Sequence, residues 1–393
     1  MNVFGTKFDY QGRIDKLKKL MAERGIDAVL VHLWPNQYYF SGHYQHFPWY
    51  PVEVGSSSEP PMIIFREKDK APVFLTTWLT GNDMKEEIWT EDVRMIDKEP
   101  FGKMAWPDYV AEVLKEKGVP ADGTIGIEEH VCVLSTFQKL QTALPKAKFT
   151  GVDELFWQLR TVKAADEIAL IKESIQVARA GLEAGKEAAK VGVLETEIFK
   201  AAKIEATRRG ALLFVETMCE SGKRTAHSRA WPASWKKVEE NDLVLIDIGV
   251  IYKGYGSDLT RTWVVGKATT ALNKINDDLR RAWETALNVI KPGVTMREVQ
   301  NTGDNVLAKM GYLTREIAMP TKNTGQAVVN IHGIGLGPMH DPPHDRNIPL
   351  ESGVTLALSG KARYPDFTIR QEDNVVVTPG GCELMSEGLT WKL

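Results

Sequence analysis

Cysteine is scarce in this sequence: Cys132, Cys219 and Cys382 lie far apart in a chain of 393 residues. An odd, scattered set without CxxC spacing excludes a disulfide framework and a cysteine-ligated zinc module, and points to a reducing compartment. A basic excess is missing too. Lys and Arg number 49 against 52 Asp and Glu, a net charge of −3, so the electrostatic footprint of a nucleic-acid binder is absent. The opening residues, MNVFGTKFDYQGRIDKL, lack the apolar core of a signal peptide. The longest charge-free run, 28–52, is broken by three histidines, Asn36, Gln37 and three prolines. It cannot supply the roughly 20 mostly apolar residues of a membrane span. Tandem repeats and low-complexity tracts are also lacking. With a hydrophobic fraction of 43%, these absences predict a soluble, cytoplasmic, globular protein with no nucleic-acid or membrane partner.

The length suggests two domains. In the first part, apolar Ile14, Leu17, Leu20 and Met21 recur at helical spacing and Gly25 stops the helix. Buried strands are predicted at 26–32, 62–65, 72–78 and 124–128, with a helix over 108–118. This alternation argues an α/β domain. From 159 the pattern changes to one long helical stretch with a stripe of Ile168, Ile171, Ile175 and Ala178, so the boundary falls between residues 1–158 and 159–393. Helices over 195–210, Asn273–Val289 and Met296–Met310 and strands at Leu243–Val250, Leu259–Val265, 354–358 and 373–378 are interleaved less regularly, which suggests α+β.

The segment 243–266, LVLIDIGVIYKGYGSDLTRTWVVG, carries the strongest chemical signal. Two apolar strands flank a turn, with Asp247 inside the first and Asp258 opening the second. A hairpin turning at Tyr252–Lys253 would set the carboxylates opposite each other. Buried there, they would be costly and mutually repulsive, and a divalent cation would remove both penalties. A turn-capping pair, or a pair meeting Arg261, is the plainer alternative. A second signal, NIHGIGLGPMHDPPHD (330–345), puts His332, His340 and His344 on a Gly/Pro-rich loop. Imidazole suits zinc, manganese, iron or cobalt. TIRQEDNVVVTPGG (368–381) contributes Glu372 at the start of an apolar strand, and TAHSRAWP (225–232) contributes His227. Alone, each of these last two reads as solvated or structural. Asp, Asp, His and Glu in order, from one domain, fit a hydrolytic metal site.

DIGVIYKGYGSDLTRT, HGIGL followed by HD, and IRQED resemble the pita-bread family of prolidase, aminopeptidase P and creatinase. RIDKLKKLMAERGIDAVLVHLWPNQYYFSG resembles the start of that family's N-terminal domain, and LRTVKAADEIALI the entry into its catalytic domain. The resemblance implies an α+β pita-bread catalytic domain preceded by a smaller α/β N-terminal domain. It implies that Asp247 chelates a first ion, Asp258 and Glu372 bridge two, and His332 binds the second. It also matches His227 to a substrate-side histidine and Arg370 to an arginine near the substrate carboxylate. The family's fifth ligand, a glutamate in Glu-Pro-Gly, is replaced: Leu358-Ser359-Gly360 stands where it is expected, and Leu358 cannot ligate a metal. His340 lies eight residues after His332 where the family has seven, and Val328 stands where a further histidine is common.

These features predict a metal-dependent hydrolase resembling Xaa-Pro dipeptidase or aminopeptidase. It would hold one or two divalent ions (Mn, Zn, Co or Fe), the second site weakened by Leu358. The mechanism is metal-assisted attack of water on an amide, with His340 or His332 at the oxyanion and His227 passing a proton to the leaving nitrogen. A non-peptidase reading stays open: C–N hydrolysis or elimination in a small polar metabolite with one or no metal. A binding module that has lost activity is a third. The substrate is a small molecule or short peptide, and a homodimer is expected. HYQHFPWYP (43–51) reads as a partly buried loop or as a substrate or dimer surface through Trp49 and Tyr50, and Trp231 and Trp235 are candidate pocket walls.

Overall fold

The computed structural model describes residues 4–44, 60–76, 88–96, 106–227, 232–315, 324–337, 341 and 347–393. Trp49, Tyr50, Trp231, His340 and His344 lie outside the described residues. The chain divides into two compact units, Met1–Leu159 and Arg160–Leu393.

In the first unit, α1 (Tyr10–Arg24) starts at Asp9, whose side chain accepts from Gly12 N, and ends at Gly25 in the left-handed conformation. Ile14, Leu17 and Met21 make its buried stripe. Strand β1 (Ala28–Val31) follows, then α2 (Trp34–Ser41), β2 (Met62–Phe65), β3 (Val73–Thr76) and β4 (Asp92–Met95). Helix α3 (Trp106–Glu116), β5 (Thr124–Ile127), α4 (Leu134–Ala143) and β6 (Lys148–Gly151) complete it. The sheet order is β4-β3-β2-β1-β5-β6. Strand β1 pairs parallel with β5 but antiparallel with β2, so the sheet is mixed. Alternate residues Ala28, Leu30, Ile63, Phe65, Val73 and Leu75 pack with Trp106, Val110, Val113 and Leu114 of α3. All four residues of β1 are buried, which is why the segment reads as a continuous apolar run.

The helical stretch read from 159 onward is broken. One helix, α5, covers Asp153–Thr161 and the next, α6, covers Ala165–Ala188. Between them Val162 bridges to Val354, and Glu167 turns back to accept from Ala164 N at 2.9 Å. In the second unit α7 (Glu195–Arg208), α8 (Thr270–Leu287) and α9 (Met296–Lys309) accompany a seven-stranded sheet. Its strands are β7 (Leu213–Ser221), β8 (Leu243–Tyr252), β9 (Tyr255–Val264), β10 (Gln326–Gly333), β11 (Thr355–Arg363), β12 (Thr368–Thr378) and β13 (Gly381–Leu384). The order is β10-β11-β12-β9-β8-β7, with β13 on β12, and the paired strands are antiparallel.

Helices cover one face of this sheet. Leu279 and Trp283 of α8 and Val299 of α9 share a core with Val329, Ile331, Leu356, Leu358 and Ile369. Helix α6 approaches so closely that a Cβ on Gly185 would lie 2.5 Å from Ile246 Cδ1. At the chain's end, Trp391 Nε1 donates to Asp373 Oδ2 at 2.8 Å, and its ring lies 5.1 Å from that of Trp283 at 53°. The opposite sheet face carries the polar residues singled out by the sequence.

Candidate metal centre

The hairpin that carries the two aspartates turns one residue later than its symmetry suggests. Tyr252 pairs with Tyr255, leaving Lys253 (φ 48) and Gly254 (φ 91) as a two-residue loop. Both residues are left-handed, the requirement of a turn matched to strand twist. The shift moves the register: Asp247 pairs with Thr260, and Asp258 pairs with Gly249. The aspartates are therefore diagonal neighbours on one face, not directly opposed.

Across the sheet the same face continues. Thr260 pairs with Glu372, Glu372 with Ser359 and Ser359 with Asn330, while His332 pairs with Ala357. Two expectations need correction here. His332 sits on strand β10, not in a loop: the alternation in AVVNIH puts Val329 and Ile331 into the core and His332 on the polar face. Glu372 lies in the middle of β12, not at the start of a strand.

Single ligand atoms from Asp258, His332 and Glu372 all lie within 4.8 Å of one another, and all three residues are buried. His332 Nε2 is 3.2 Å from Asp258 Oδ2 and 3.6 Å from Glu372 Oε1, while Nδ1 lies 3.1 Å from Gly333 O. Burial by itself lowers the His332 pKa, but the Asp258 and Glu372 carboxylates outweigh it and carry it to about 10. Burial pushes Glu372 upward, yet Arg370, His332 and the Thr260 hydroxyl bring it down to about 2. That hydroxyl donates to Glu372 Oε2 at 2.8 Å. Asn374 ties the strands together, donating to Asp258 O at 2.6 Å and accepting from Asp258 N at 3.1 Å.

Asp247 stands apart from the trio. Its carboxylate is held by Arg370 Nη1, and Arg370 Nη2 reaches Glu372 Oε2 at 2.5 Å. An arginine does meet the aspartate pair, but it is Arg370. Arg261 points to the other face, where it pairs with Asp373.

The donor set fits a divalent cation. Two carboxylates and one imidazole converge, and Asp258 Oδ1 and Glu372 Oε1 have no hydrogen-bond partner among the described residues. Asp247, Asp258 and Glu372 bring three negative charges and Arg370 one positive. One divalent ion beside neutral His332 closes the sum to zero, whereas two leave +2 in a buried site.

Leu358 and Ser359 occupy opposite faces of β11. Ser359, not Leu358, faces Glu372 across the ladder. Leu358 is fully buried in the apolar core on the far face, where its carbonyl accepts from Trp283 Nε1 at 2.9 Å. A one-residue slip in register exchanges faces. Ser359 Oγ is buried on the polar face without a hydrogen-bond partner among the described residues. The alternation of Leu356, Leu358 and Ala362 was the signal that could have found this. His227 closes a 3₁₀ turn, Gly222–His227, at the end of β7. Trp235 is 80% exposed. Sequence reasoning missed Thr260 and Asn374, which lie inside the quoted motifs but are not metal-ligand types, and a further carboxylate, Glu220, which lies outside them.

Comparison with known proteins places both units of the chain in a family. The description of metallopeptidase family M24 matches residues 169–379, and that of the creatinase/prolidase N-terminal domain matches 13–162. An Xaa-Pro dipeptidase of Pyrococcus furiosus is 27% identical over 385 residues, covering 95% of this chain and 97% of that protein. The prolidase of Pyrococcus horikoshii superposes with a TM-score of 0.79 at 26% identity, over 96% of this chain and 98% of its own. The X-Pro aminopeptidase of Thermotoga maritima gives 0.80 at 25% identity, over 97% and 98%. The two-domain, mixed α/β architecture of these structures is that of the present chain.

Proposed function

The chain belongs to metallopeptidase family M24, and on that premise we propose that it hydrolyses an amide bond in short peptides with one divalent ion held by Asp258, His332 and Glu372. The observation that carries this reading is the buried convergence of those three ligand atoms within 4.8 Å. The dipeptidase and aminopeptidase names of the relatives favour peptides over C–N hydrolysis or elimination in a small metabolite. When bound, the ion supplies Lewis acidity to a carbonyl and to an attacking water.

The chain's own residues prepare that chemistry. Thr260 and Arg370 orient Glu372, and Arg370 also holds Asp247. With both terminal nitrogens engaged, Arg370 acts as a positioning residue in this reading; its engagement argues against a clamp for the substrate carboxylate. His227 and His340 are assigned to the substrate side, His227 toward the leaving nitrogen. The ligand set accepts Mn, Zn, Co or Fe. Among the described residues no helix is long and apolar enough to cross a membrane. A cytoplasmic homodimer is the assembly we propose.

The test is elemental analysis and calorimetric titration of the full chain, followed by assay on Xaa-Pro dipeptides. One tight equivalent per chain with hydrolysis supports the reading. Two tight equivalents overturn the one-ion assignment, and one equivalent without peptide hydrolysis overturns the substrate class.

A further inference from the structure

Two buried glutamates lie close together in the second unit, and they are treated in opposite ways. Glu195 is fully buried and satisfied: it accepts from Ser221 N and Oγ, from Arg224 Nε, and from Ser234 N and Oγ, all between 2.6 and 3.0 Å. Glu220, on β7, is also 0% exposed, yet neither of its carboxylate oxygens has a hydrogen-bond partner among the described residues. A buried carboxylate without donors is a costly arrangement.

Its direction is set by register. Met218 pairs with Asp247 and Glu220 with Leu245, so Glu220 projects from the same sheet face as Asp247. Leu245 pairs with Thr262, whose hydroxyl donates to Arg370 O at 2.8 Å, so the row that begins at Glu220 runs on to Arg370. Among the described residues the nearest cations do not satisfy it. Arg224 is engaged by Glu195 and by Pro232 O, and Lys361 acts on Glu220 only at a distance. Burial is the main influence and pushes the carboxyl up to about 7. The other carboxylates of the face are engaged: Arg370 bridges Asp247 and Glu372, and His332 lies against Asp258.

We infer that Glu220 is a specificity-determining residue that receives a positively charged nitrogen of the substrate, either the α-ammonium or a cationic side chain. The inference rests on the short-peptide reading above. A cation supplies both what Glu220 lacks, hydrogen-bond donors and a compensating charge.

The experiment compares wild type, Glu220→Gln and Glu220→Met as manganese-loaded full chain. Substrates are a free-amine dipeptide, its N-acetylated counterpart, and the acetylated peptide carrying lysine. Calorimetry measures binding of a free-amine, lysine-containing analogue with a ketomethylene group in place of the scissile amide. The expected result is that the kcat/KM ratio of cationic to acetylated neutral peptide falls at least about tenfold in Glu220→Gln, with a matching loss of analogue affinity. Loss confined to free-amine peptides identifies the α-ammonium; loss confined to lysine peptides identifies the side chain. An unchanged ratio, or an equal fall for all three substrates, overturns the inference. If the wild type cleaves none of them, the short-peptide reading fails. Analogue binding still decides Glu220, because equal affinity in wild type and both variants sinks it.

Discussion

Neighbouring residues on β11 give opposite predictions for one substitution. Ser359→Glu places a carboxylate on the polar face opposite Glu372. In the native site, a second divalent ion would raise the summed charge of Asp247, Asp258, Glu372, Arg370 and the first ion from zero to +2; the variant lowers that to +1. A carboxylate about 4 Å from an ion, at an effective dielectric constant near 20, contributes roughly 8 kcal/mol per divalent charge before desolvation. If half survives desolvation, affinity for a second ion rises about a thousandfold. Calorimetric titration with manganese is expected to end at one equivalent in wild type and two in Ser359→Glu. Without metal, the new carboxylate destabilises the fold by about 3 kcal/mol, a loss that manganese reverses. Leu358→Glu points the same group into the apolar core with Leu279 and Trp283. There it costs about 4 kcal/mol or more, and manganese does not recover it. A second tight equivalent in wild type, or in Leu358→Glu but not Ser359→Glu, would refute the register argument.

Protons compete with the ion at His332. Its raised pKa of about 10 means the ion-free imidazole is charged at neutral pH. Metal affinity is therefore expected to weaken about tenfold per unit of acidification between roughly pH 9 and 7, measured by competition with a chelator of known pH dependence; a flat profile contradicts this. The same raised value gives the ion-free protein a stabilising contribution that is full below about 6.5 and is lost as pH rises toward 10. Arg370→Gln leaves Asp247 and Glu372 without their shared cation, so the ion-free melting temperature should drop by an amount equivalent to about 3 kcal/mol and recover in part with manganese; equal losses with and without metal would count against the bridging role. Gly254→Val forces a branched side chain into the left-handed turn (φ 91), with an expected loss of about 1–2 kcal/mol in urea unfolding.

Much of the site was legible because period is written into the chain. Apolar runs located β8, β9, β11 and β12, and Asp247, Asp258, His332 and Glu372 stood out as polar residues against them. Phase was harder. The positive-φ pair Lys253 and Gly254 fixes where the hairpin turns, and a one-residue difference there separates opposed from diagonal aspartates. The same parity separates Ser359 from Leu358. Partner choice was also hidden: whether Arg261 or Arg370 meets Asp247 depends on which face each occupies, and that follows from the ladder. Strand β7 was not anticipated. Its pairing slips between Phe214 and Thr217, and the bulge breaks the simple alternation that would have announced it.

The indole pair at the end of the chain gives the molecule an optical handle. Trp391 and Trp283 lie 5.1 Å apart and tilted by 53°, a geometry in which two transition dipoles couple and acquire rotational strength. Trp391 is anchored through Asp373, the residue next to Glu372. Fraying of the last residues would therefore silence a chiral signal whose source adjoins the strand bearing a proposed ligand. Circular dichroism in the aromatic region could then follow the integrity of that strand without any added dye.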